Sequence, residues 1–114
     1  MENLEITELA ASVITPGDAP WFSGHFPNNP ILPGIAQLKM VADLIAQPLG
    51  GHALLTGLSR VKFRKLVRPG ERLDISVTGG NSENQYLFKI TSGNEDVCSG
   101  KMSLTPNKQL QIHE

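Results

Sequence analysis

Cysteine is nearly missing from this chain: its 114 residues include one, Cys98. A single thiol excludes an intrachain disulfide and a cysteine-built zinc site, and it fits a reducing compartment. An excess of either charge is missing as well, since 10 Lys and Arg against 11 Asp and Glu leave −1. Non-specific nucleic-acid binding needs a dense positive surface, so no nucleic-acid partner is expected. No apolar run approaches the ~20 residues of a membrane span. The opening MENLEITEL has acids where a signal peptide would have an apolar core, and a cytoplasmic location is expected. The chain shows no low-complexity segment, internal repeat, P-loop, dinucleotide fingerprint or G-x-S-x-G elbow. No cofactor and no metal are therefore expected.

The length fits one domain over residues 1–114. A domain of this size buries roughly two-thirds of the surface its unfolded chain exposes. It cannot easily surround a long ligand alone, so a shared interface is expected.

Glu5 to Thr15, EITELAASVIT, reads as a β run. A loop from Pro16 to Pro33 follows, with prolines at 16, 20, 27, 30 and 33. Proline fixes φ and removes a backbone donor, which rules out a central strand or helix there. Gly34 to Gln47, GIAQLKMVADLIAQ, is the one convincing helix, bounded by Pro33 and Pro48. Ile35, Leu38, Val41, Ala42 and Ile45 share a face, while Met40 and Leu44 lie nearly opposite, a pattern of burial on most sides. Lys39, Asp43 and Gln47 form a polar stripe at i, i+4 and i+8.

Beyond the helix, Ala53 to Val67 is β-rich and is expected to bend near Gly57. Leu73–Thr78 follows a Pro69-Gly70 turn, and Gln85–Thr91 and Val97–Leu104 complete the set. Short links between neighbours predict antiparallel hairpins. One buried helix and four consecutive strands predict an α+β domain with the sheet wrapped round the helix.

Three features carry candidate chemistry. His25 lies in GHFPNNPILPG between two glycines and within a proline frame; an imidazole so held is suited to remove a proton near neutral pH, and the plainer reading is a packed loop histidine. The Pro33-Gly34-Ile35 helix start directs orphan N–H groups outward, where they stabilise an anion, although every helix has such a start. Arg60, Lys62 and Arg64 alternate on one face of RVKFRKLVR; such a stripe suits an acidic carrier protein and equally a solvated or protected edge. His52 and His113 have no partner pattern, and Cys98 reads as a small core residue.

These residues carry a family likeness. GHFPNNPILPGIAQL resembles the active-site segment of the hotdog-fold 3-hydroxyacyl-[acyl carrier protein] dehydratases, most nearly the short aryl-polyene-type members that share WF-x-GHFP…LPG-x-AQL. RVKFRKLVRPGERLDISV resembles the strand–turn–strand after that family's helix, and GKMSL is a weaker match; together the likeness runs from Trp21 to Leu104.

The resemblance implies a hotdog fold, a homodimer whose sheets join edge to edge, active sites at the interface, and acyl carrier protein as partner. It places the base at His25, the amides that polarise the thioester carbonyl at Gly34 and Ile35, and substrate contacts at Phe26 and Pro33. The stripe of Arg60, Lys62 and Arg64 is the expected carrier-docking face. Its chemistry is loss of the C2 proton to histidine, then departure of the 3-hydroxyl helped by an acid.

The pattern departs on the helix, where the acid is replaced by Lys39 and the following glutamine by Asp43. A lysine near a helix start, and buried, is disfavoured as a cation. Asp43, one turn along, can pair with it. Using Asp43 as the acid instead would need the substrate to shift by about 5 Å. The sequence therefore also admits an acyl thioesterase using His25 or Asp43, and a non-catalytic acyl-binding subunit.

Overall fold

The computed structural model describes residues 8–15, 32–80 and 82–106. Strand β1 (Glu8–Ile14) leads to helix α1 (Gly34–Ala46), a single 3-10 turn (Gln47–Leu49), and strands β2 (Ala53–Phe63), β3 (Arg72–Gly79), β4 (Gln85–Ser92) and β5 (Glu95–Pro106). The strands form one antiparallel sheet in the order β1-β3-β4-β5-β2. The α+β arrangement predicted from the pattern, one helix against an antiparallel sheet, is thus present.

Strand alternation builds the core. Leu73, Ile75 and Val77 of β3, Tyr86, Phe88 and Ile90 of β4, and Met102 and Leu104 of β5 are buried on the helix side, because side chains two apart share a face; Val97 is buried where β5 shifts register against β4. Cys98 is buried among them, as expected of a small core residue. Helix α1 adds Leu38, Val41 and Ile45. Each such aliphatic side chain contributes about 1.5–3 kcal/mol when withdrawn from water.

The strand pairing departs from expectation. The Pro69-Gly70 turn does not close a hairpin between β2 and β3: β2 pairs with β5, and β3 pairs with β1 and β4. The chain after β2 crosses the sheet, so β1 and β2 become its two edges. A turn residue sets a local reversal but not which strand receives the next one.

The expected bend near Gly57 is a register shift between Leu55 and Gly57. A second shift, between Ser59 and Lys62, places Arg60 at φ 56°. This second irregularity interrupts the even alternation of the basic stripe, as bulges do. Gly100 on β5 lies beside it, and a Cβ there would meet Val61 Cα and Cγ2 at 3.0 Å.

The helix is buried on most sides, as its pattern predicts, but Ile35 is not on the buried face. It is 75% exposed and continues the stripe of Lys39, Asp43 and Gln47. Gln37 takes the inward place instead, heading a row with Val41 and Ile45 at i, i+4 and i+8. The helix is apolar nearly all round, so hydropathy alone does not decide which row meets the sheet.

Candidate active site

The helix start is held by the segment joining β2 to β3. Leu32 N–H donates to the Val67 carbonyl at 2.7 Å, and both residues are buried. Val67 is steadied by an adjacent network. Lys65 Nζ reaches Glu71 Oε1 at 2.8 Å, Ser92 Oγ donates to the same oxygen at 3.1 Å, and the Arg68 N–H donates to Oε2 at 3.1 Å. Thr15 Oγ1 donates to the Arg68 carbonyl at 3.0 Å, and the Gly70 N–H donates to the Thr15 carbonyl at 2.6 Å. Burial raises the Glu71 carboxyl, but the hydrogen bonds from Lys65, Arg68 and Ser92 and the Lys65 charge outweigh it, leaving the group below its ordinary value.

Pro33 occupies the N-cap with extended ψ of 151° and supplies no side-chain cap. Its carbonyl accepts the N–H groups of Ala36 at 3.1 Å and Gln37 at 3.2 Å. By helix geometry the N–H groups of Gly34 and Ile35 have no intrahelical acceptor. The first turn also holds no acid. The predicted carbonyl-binding amides therefore sit at an uncapped start, where the helix dipole favours negative charge.

Phe63, at the end of β2, leans over this start. A Cβ on Gly34 would meet its Cζ at 2.7 Å and Cε1 at 2.9 Å, so glycine permits the approach. Phe63 remains half exposed.

Lys39 and Asp43 come together as anticipated, with Nζ 3.0 Å from Oδ2 and 3.3 Å from Oδ1. Their surroundings differ from the expectation. The side chains are 68% and 64% exposed, so the burial expected to disfavour the lysine charge is missing. An exposed i,i+4 pair adds about 0.3–0.5 kcal/mol. His25 and Phe26 lie outside the described residues.

The basic stripe is open to solvent at Arg60, Lys62 and Arg64. Arg64 Nη1 donates to Ser99 Oγ at 3.0 Å.

Two features had no warning in the sequence reading. Gln37 is 2% exposed; its Nε2 donates to the Leu32 carbonyl at 3.4 Å and its Oε1 has no partner among the described residues. An unpaired buried acceptor costs about 1–3 kcal/mol. The available signal was its i−4 spacing from Val41. The other is a groove of about 430 Å³ lined by β1, β3 and β4 residues, including Ser12, Asp74 and Thr91, with none from α1. In it Ser12 Oγ donates to Asp74 Oδ1 at 2.6 Å, and Arg72 Nε donates to the same oxygen at 3.2 Å. The Ser12 hydrogen bond and Arg72 hold the Asp74 carboxyl below its ordinary value.

A sheet curled over one central helix defines a hotdog protein. A hot-dog-like protein from Thermanaerovibrio acidaminovorans shares this fold, with a TM-score of 0.70 at 14% identity over 93% of this chain and 86% of that one. The family description ApeI-like, ApeI dehydratase, matches residues 2–101, and the chain belongs to that family. It is similar to the 3-hydroxyacyl-[acyl-carrier-protein] dehydratase FabZ of Alkaliphilus metalliredigens, at 37% identity over 105 residues, 77% of this chain and 69% of that protein. It is also similar to a chain of the dehydratase heterocomplex ApeI:P from Xenorhabdus doucetiae, with a TM-score of 0.78 at 25% identity over 90% of this chain and 91% of that one. The chain spans about half the length of the first curated relatives it matches, 46%.

Proposed function

We propose that this chain is a hydro-lyase that removes water from 3-hydroxyacyl thioesters of acyl carrier protein, in fatty-acid or related lipid biosynthesis. The observation that carries the reading is the uncapped helix start at Gly34 and Ile35, in a chain whose family match includes it. Two N–H groups with no cap among the described residues suit a thioester oxygen that gains charge as the C2 proton leaves.

In this reading His25 takes the C2 proton. The C2–H electron pair moves into the C1–C2 bond, and the carbonyl oxygen carries the charge at Gly34 and Ile35. As the C2=C3 bond forms, the C3–O bond breaks and the hydroxyl leaves as water with a proton from the acid. We assign that proton to the Lys39 ammonium, held by Asp43. Phe26 and Pro33 line the acyl path, and no cofactor or metal takes part. Asp43 is the occupied partner here, which weakens the thioesterase alternative. A replaced general acid costs a factor of about 10²–10⁴, so slow turnover is expected.

The reading includes a homodimer formed at the open β2 edge, where Leu54, Leu55 and Leu58 are exposed. It includes carrier docking at Arg60, Lys62 and Arg64, and a cytoplasmic location. The dehydratase heterocomplex of the Xenorhabdus relative supports a second arrangement, in which a different chain, a complete homologue, makes up the pair.

The test offers the protein 3-hydroxyacyl and enoyl thioesters and follows hydration and free thiol together. Hydration that His25→Ala abolishes supports the lyase. Thiol release that Asp43→Ala abolishes replaces it with the thioesterase. Acyl binding without turnover, with turnover appearing in Lys39→Glu, replaces it with a degenerate subunit.

A further inference from the structure

Among the described residues, Gln37 is the side chain whose buried polar atom lacks a partner. It lies where packing asks for an aliphatic residue, heading the row of Val41 and Ile45, both 0% exposed. Its cost is local and so is its contact: Nε2 reaches back to the Leu32 carbonyl. A side chain that breaks the pattern of its own row marks a place where something other than packing decides the residue.

We propose that Gln37 is a positioning residue that sets the direction of the Gly34 and Ile35 N–H groups. The proposal rests on the thioester-binding role given to them above. The Leu32–Pro33 peptide has no N–H of its own, so its orientation depends on what holds the Leu32 carbonyl. Gln37 holds both residues that precede the helix. Its backbone N–H donates to the Pro33 carbonyl at 3.2 Å, and its side chain donates to the Leu32 carbonyl at 3.4 Å. The Leu32 N–H is fixed separately to Val67. With the side-chain amide gone, the buried Leu32 carbonyl has lost this donor and turns to find another. Pro33 turns with it, and the first two helical N–H groups follow. The free Oε1 and the lost contact at Leu32 oppose each other in stability, so an apolar residue at 37 changes activity more than folding.

The experiment compares wild type with Gln37→Met and Gln37→Glu. It reads the melting temperature, kcat and KM for 3-hydroxyacyl thioester dehydration, and the backbone N–H chemical shifts of Gly34 and Ile35. Gln37→Met is expected to melt within about 3 °C of wild type and to lose about 10–100-fold in kcat, as a small misplacement at a site does. KM is expected to change little, and both N–H shifts are expected to move. In Gln37→Glu a protonated carboxyl still donates to Leu32 and an ionised one does not. Its activity relative to wild type is therefore expected to fall as pH rises.

Wild-type kcat in Gln37→Met overturns the proposal, as do unmoved Gly34 and Ile35 shifts. A kcat loss matched by an equal collapse in melting temperature also overturns it. If wild type itself turns nothing over, the dehydratase reading fails, and the N–H shifts alone decide the positioning role.

Discussion

The Phe63 ring stands over Gly34 at a distance that leaves no room for a Cβ, whose place would be 2.7 Å from Cζ. The last residue of the edge strand and the first residue of the helix thus determine each other. Gly34→Ala is expected to fold, because a half-exposed ring can swing away. It is expected to lose about tenfold or more in kcat/KM, since a displaced helix start misaligns the bound carbonyl. Phe63→Leu in the same chain relieves the clash, and a double-mutant cycle is expected to show a coupling of about 0.5–3 kcal/mol. Urea unfolding supplies the stability coupling and kinetics the loss of activity.

Glu71 gives a pH dependence of known sign. Its folded pKa is lowered from the ordinary 4.5, so its stabilisation is present above that value and is lost as pH falls through the folded pKa. Glu71→Gln is expected to be less stable than wild type near pH 7 by about 1 kcal/mol, the scale of a partly exposed pair. The gap between their urea midpoints is expected to narrow as pH falls below 4.5 and through the lowered folded pKa.

The β2 edge carries a test of assembly. Leu58 is exposed on a strand whose second edge has no neighbour in the sheet. A charge on such an edge opposes pairing with another chain. Leu58→Lys is expected to sediment as a monomer where wild type sediments as a dimer. Turnover is expected to fall with the dimer, because the proposed sites draw on both chains.

Ile45 tests the row that Gln37 heads. It is 0% exposed in the core. Ile45→Ala is expected to cost about 2–5 kcal/mol in urea unfolding, through lost burial and the cavity left behind. That loss contrasts with the small change expected for Gln37→Met two turns earlier.

Local signals in the sequence determined the elements. Pro33 and Pro48 bracket the helix because proline lacks a donor and restricts the residue before it. Alternating apolar residues mark β3, β4 and β5 for the same reason that they fill the core. The pairing of Lys39 with Asp43 was also legible, since residues four apart on a helix are neighbours.

Tertiary structure decided what no local window contains. It sent β2 to β5 rather than β3, put Gln37 inside and Ile35 outside, and laid Phe63 over Gly34. Strand partners and the buried row of an all-round apolar helix depend on where the distant sheet lies. His25 is legible as a candidate base from its segment alone; the helix start it would serve took shape only once Val67 and Phe63 had been brought to it across the fold.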